Sequence, residues 1–109
     1  MKSKVTNTTE YCLFCGRPAT QEHHLIFGTY GRGFSDRYGL TLPICPSCHN
    51  TAEYPVDRIH DNPKAERLSK MLGQAIWEKN YYKDLWYQLN KGDDEARERF
   101  IELNGISYL

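Results

Sequence analysis

The sequence predicts a small α+β domain in which bound metal organises the first half and helices form the second. Three observations carry that prediction. Two cysteine pairs, Cys12-x-x-Cys15 and Cys45-x-x-Cys48, stand on either side of a Glu22-His23-His24 triplet. A short apolar run, Leu40 to Ile44, leads into the second pair and suits one arm of a β-hairpin. Beyond Asn62, apolar residues recur at helical spacing.

The 109 residues fit one domain, 1–109, with the metal-organised part at 10–60 and the helical part at 61–109. A domain this small buries a limited core, so a structural metal would help it fold. The start, Met1 to Thr9, is polar and is expected to fray. No apolar run is long enough to span a membrane, and no secretory h-region opens the chain. A cytoplasmic location is therefore expected. In a reducing compartment, paired cysteines read as metal ligands before disulfides. Lys plus Arg and Asp plus Glu both number 14, for a net charge of zero. Residues 1–60 carry six basic and five acidic side chains, and residues 61–109 carry eight and nine. Neither half is a basic block, so any nucleic-acid contact must come from a local patch or with the help of another protein.

The elements follow in order. Gly28-Thr29-Tyr30-Gly31-Arg32-Gly33 reads as a flexible, partly basic loop. After the apolar run, Cys48 to Glu53 could open a helix. Asn62 is a candidate N-cap with Pro63 at the first helical position. Leu68, Met71, Leu72, Ala75 and Ile76 share one helical face, and Glu66 and Lys70 are spaced as an i,i+4 ion pair. Tyr81 and Tyr82 to Leu89, with Leu85 and Trp86, reads as another helix, broken at Gly92. Asp93 to Leu103 reads as the last helix, stopped by Asn104-Gly105. The aromatic residues here, Trp77 among them, read as core.

A Cys-x-x-Cys turn aims two sulfurs at one point, and two such turns fill the tetrahedral sphere of a structural zinc. Cys12, Cys15, Cys45 and Cys48 are the expected ligands. The 29 residues between the pairs must loop out from this knuckle. His23 and His24 are adjacent, so on a strand they point to opposite faces. His49 follows the fourth cysteine, with Glu53 one helical turn further on. Three of the four histidines therefore fall in a 27-residue window beside the zinc scaffold. That density favours a second metal site. There is no His-Glu-x-x-His, and the deaminase pattern fails on the spacing of both His and Cys, so zincin and deaminase chemistry are excluded.

Taken together, Glu22-His23-His24-Leu25-Ile26-Phe27, Ser35-Asp36-Arg37-Tyr38-Gly39-Leu40 and Leu42-Pro43-Ile44-Cys45-Pro46-Ser47-Cys48-His49-Asn50 resemble the HNH endonucleases, above all small phage and prophage members. The resemblance covers Cys12 to about His60. It implies a ββα-metal finger with a four-cysteine zinc knuckle, followed here by a C-terminal helical region. It implies His24 as the general base, and a divalent cation (magnesium, manganese, nickel or zinc) on His23 and His49, with Asn50 or His60 as a further ligand. The family's bracing Asn before the second strand has no counterpart in Tyr38-Gly39-Leu40.

The function so implied is metal-dependent hydrolysis of DNA phosphodiester bonds. His24 would activate water, and the cation would stabilise the phosphate and the leaving oxygen. Arg32 and Arg37 are the expected phosphate contacts. The implied setting is a bacterial or phage-infected cell, with DNA as partner and recruitment by a recombination or phage protein compatible with the neutral charge. The alternative reading is a noncatalytic zinc module that binds DNA or protein.

Overall fold

The computed structural model describes residues 3–84 and 94–109. Leu85, Trp86, Leu89 and Gly92, read above as part of a helix and its break, lie outside the described residues. The rest is an α+β fold: a two-stranded antiparallel sheet, a short helix between the strands, and two longer helices after them.

Strand β1 spans Gln21–His24 and β2 spans Thr41–Ile44, with His23 opposite Leu42 and His24 opposite Thr41. All four β2 residues are buried. The linking segment is not the open loop expected over 28–33, because helix α1 starts within it and spans Gly31–Tyr38. Gly31 allows that start. A Cβ there would lie 2.9 Å from the carbonyl carbon and a side-chain methyl of Ile26. Gly39, left-handed at φ 68°, closes the helix, and its N–H bonds the Ser35 carbonyl. The Ser35 hydroxyl accepts from the Ile26 N–H at 3.0 Å and donates to the Ile26 carbonyl at 2.7 Å. One buried serine thus staples α1 to the chain leaving β1.

From Ser3 on, the N-terminal segment does not fray as its polarity suggested. Ser3 is buried, and its hydroxyl donates to the Thr41 carbonyl at 2.7 Å. Lys4 N–H bonds the Gly39 carbonyl at 2.8 Å. This backbone pairs along the segment that enters β2, and Val5 packs against the main core.

After β2 the expected helix is a single wide turn, Ser47–Thr51, and Ala52 leaves it with ψ 143°. The chain then doubles back. Ile59 N–H bonds the Cys48 carbonyl, and His60 N–H bonds the His49 carbonyl at 3.1 Å. Arg58 holds this return with bonds to the carbonyls of His60 (3.0 Å) and Ala52 (2.5 Å) and to Asp61 (3.2 Å). Asn62 caps the next helix, its Oδ1 accepting from the Ala65 N–H at 3.3 Å.

That helix, α2, runs from Pro63 to Asp84, so Tyr81 and Tyr82 continue it. Helix α3 spans Asp94–Asn104 and stops at Gly105, φ +102°. The buried face of α2 matches the apolar stripe read from the sequence only in part: Ile76 packs against the core. Leu68 and Leu72 are exposed, while Ser69, Gly73, Gln74 and Trp77 are buried. Small side chains let α2 approach closely: a Cβ on Gly73 would lie 2.8 Å from the Ile26 side chain. The Glu66–Lys70 pair does not form either, since Glu66 turns to His60 and Lys70 lies over the Phe27 ring. The main core joins Leu25, Ile26, Leu40 and Leu42 to Trp77, Ala96 and Phe100. A second cluster, Cys12, Ile44, Cys45 and Ile59, underlies the knuckle.

Candidate functional site

The four cysteines converge. Their sulfurs lie within 4.8 Å of one another, and all four are free thiols. Backbone turns aim them: Gly16 N–H bonds the Cys12 carbonyl with Gly16 at φ 78°, and Cys48 N–H points at the Cys45 sulfur at 3.5 Å. Leu13 N–H docks the first turn on the Pro43 carbonyl of β2. A zinc bonded to four sulfurs at ~2.3 Å spaces them about 3.8 Å apart, and the Cys15 and Cys45 sulfurs are 3.5 Å apart. Burial pushes the Cys12 thiol up, but backbone N–H groups aimed at its sulfur prevail and bring it to about 6. The Cys48 N–H lowers the Cys45 thiol. Cys48 is pushed up by burial and by the three sulfurs around it. Four thiolates this close need a cation to coexist, and this donor set fits zinc.

A second group joins His23, His49 and His60. One ring nitrogen of each lies within 4.8 Å of the others, and the ring centres are 4.7 to 5.3 Å apart. Hydrogen bonds settle which nitrogens face inward. The Ser69 hydroxyl donates its one proton to the Leu25 carbonyl at 2.7 Å, so it accepts from His23 Nε2 at 2.8 Å. His23 Nδ1 is then an unprotonated, buried atom with no partner. His49 Nδ1 donates to Gln21 Oε1 at 2.8 Å, and His60 Nδ1 donates to Glu66 Oε2 at 3.4 Å. Their Nε2 atoms stand 3.0 Å apart. Nitrogens sharing one ion at ~2.05 Å stand about 2.9 to 3.3 Å apart. Three imidazoles, each with one nitrogen engaged by a hydrogen bond, form a donor set that could hold a metal ion.

Electrostatics agree with the geometry. His23 is 1 % exposed, and burial first, then its neighbouring histidines, hold it down at about 3. Burial and His60 also lower His49. Neutral rings are the forms that ligate.

His24 leaves β1 on the opposite face, as strand alternation requires. Its Nε2 is 2.7 Å from Asp36 Oδ1 on α1, and its side chain is 16 % exposed. With that nitrogen donating to the carboxylate, Nδ1 is left bare.

The structure thus groups His60 with His23 and His49, while Asn50 is exposed on the helical turn. Glu53 is also exposed, because the turn ends before it could face His49. Arg32 and Arg37 are both exposed on α1, about 140° apart around its axis. The orienting residues Gln21, Asp36, Glu66 and Ser69 were not found from the sequence. Asp36 stands there only within the stretch that carries the resemblance, and Glu66 only as a partner of Lys70. No local pattern could single out Ser69, 46 positions from His23.

Against known proteins, the chain matches no family model, no curated protein and no solved structure.

Proposed function

We propose that the chain is a metal-dependent DNA endonuclease of the HNH type, with the two strands and the turn bearing His49 serving as a ββα-metal finger. The observation that carries this reading is the buried, unpartnered Nδ1 of His23 on a ring grouped with His49 and His60, one nitrogen of each lying within 4.8 Å of the others. His23, His49 and His60 would hold a divalent cation, which when bound supplies Lewis-acid stabilisation of the phosphate and leaving oxygen. An all-imidazole set favours manganese, nickel or zinc over magnesium. The cysteine knuckle holds a separate structural zinc and fixes β2 and the turn that follows it.

His24 removes the proton from the attacking water through Nδ1. Asp36 holds the ring in that tautomer and stabilises the positive ring once the proton has moved. Asp36 and Ser35 together supply the bracing that the missing family Asn would provide: Ser35 fixes α1, and α1 presents Asp36 to the base.

Purified protein loaded with manganese, nickel, zinc or magnesium should nick supercoiled plasmid with at least one of them. His24→Ala should abolish nicking without loss of bound metal. Absence of nicking with all four ions contradicts the reading and favours a noncatalytic zinc module. Nicking that persists in His24→Ala removes His24 as the base.

A further inference from the structure

Beside the histidine centre, α2 and the C-terminal tail enclose a groove of about 380 Å³ lined by Pro63, Glu66, Arg67, Lys70, Ser107 and Tyr108. Lys70 is its distinctive group. Among the described residues no carboxylate pairs with its ammonium, because Glu66, one helical turn earlier, bonds His60 and the Asp61 N–H instead. The ammonium sits over the Phe27 ring, 4.7 Å from its centre, and 5.6 Å from the centre of Tyr108. Phe27 in turn stands edge-on to His60 at 4.9 Å and tilted against His23 at 5.9 Å. An unneutralised cation is therefore held in place two ring contacts from the histidine centre. Arg67, exposed on the same helix, adds a second positive charge at the rim.

The tail that forms the other wall is fastened to α2. Buried Gln74 accepts the Tyr108 N–H at 2.6 Å and donates to the Ser107 hydroxyl at 2.9 Å. The groove is a fixed feature lined by two cationic side chains, two hydroxyl-bearing residues (Ser107 and Tyr108) and one engaged carboxylate. That chemistry suits a phosphodiester.

We infer that this groove seats a phosphate of the nucleic-acid strand next to the one being cleaved, with Lys70 as its main contact and Arg67 at its edge. The inference rests on the nuclease reading for the identity of the strand, and it moves the principal phosphate contact from α1 to α2.

The test uses metal-loaded full chain. In a His24→Ala background, affinity for a short labelled DNA duplex is measured across salt concentrations. Lys70→Gln should weaken binding about 5- to 10-fold at low salt and flatten the log–log salt slope by ~0.9, the value of one lost phosphate contact. Lys70→Arg, which keeps the charge over Phe27, should retain most of both. In nicking assays on chains with His24 intact, Lys70→Gln should raise KM and leave kcat nearly unchanged. Affinity and salt slope unaltered in Lys70→Gln overturn the inference. So does loss of bound ion in that variant, which would make Lys70 a support of the histidine centre. Failure to nick with any metal tells against the nuclease reading alone, since the groove is judged by the salt slope.

Discussion

A buried imidazole nitrogen with a lone pair and no partner is costly unless something completes it. His23 Nδ1 is such an atom, and its state follows from a single proton on Ser69. Ser69→Ala removes the acceptor for His23 Nε2–H and frees the ring to take the other tautomer. We expect the affinity of the histidine centre for its ion to fall about 10- to 100-fold, with the knuckle zinc retained, as measured by competition with a chelating dye. Unchanged affinity would mean that Ser69 does not set the tautomer. The histidines themselves were legible as residue types in a dense window. Their orienting partners were not, because Asp36, Glu66 and Ser69 reach them across 12, 6 and 46 positions of sequence.

At the scale of elements, α2 carries more of the site than its apolar residues suggested. Periodicity found a helix of the right start and cap and placed Ile76 against the core, but missed the small and polar residues that pack closest, since it weighs hydrophobicity and not closeness of approach. The face that packs is Ser69, Gly73 and Trp77, and it presents Ser69 to His23 and Glu66 to His60. Gly73→Ala tests this. An exposed helical Gly→Ala would stabilise by up to ~1 kcal/mol. Here the new methyl meets the Ile26 side chain at 2.8 Å and the Leu25 Cβ at 3.1 Å, both buried. Overpacking of about 1–3 kcal/mol should prevail and lower Tm by several degrees in a thermal melt. A raised Tm would show that α2 does not sit this close. The return from the Ser47–Thr51 turn to His60 was equally hidden, since it depends on the backbone pairing of His60 with His49 and on Arg58.

For the whole molecule, the fold gathers two groups of potential metal ligands around one small sheet. Cys12 and Cys45 cluster with Ile44 and Ile59, while His23, His49 and His60 gather where β1 meets Ser69 of α2. The α+β class, the hairpin strands and the cysteine cluster were readable because spacing alone determines them. The length of the turn after Cys48 and the docking of Ser3 and Lys4 were not, since they are settled by hydrogen bonds to distant backbone that no local pattern encodes. Among the described residues no helix is long and apolar enough to cross a membrane.

The central claim is that the cysteines and the histidines hold separate ions. Native mass spectrometry of the metal-loaded full chain, compared with His49→Ala, measures this directly. The account predicts two ions per chain, falling to one in His49→Ala with the fold and the thiolate-bound zinc intact. A single ion in both proteins, or loss of the thiolate-bound ion in His49→Ala, would contradict it.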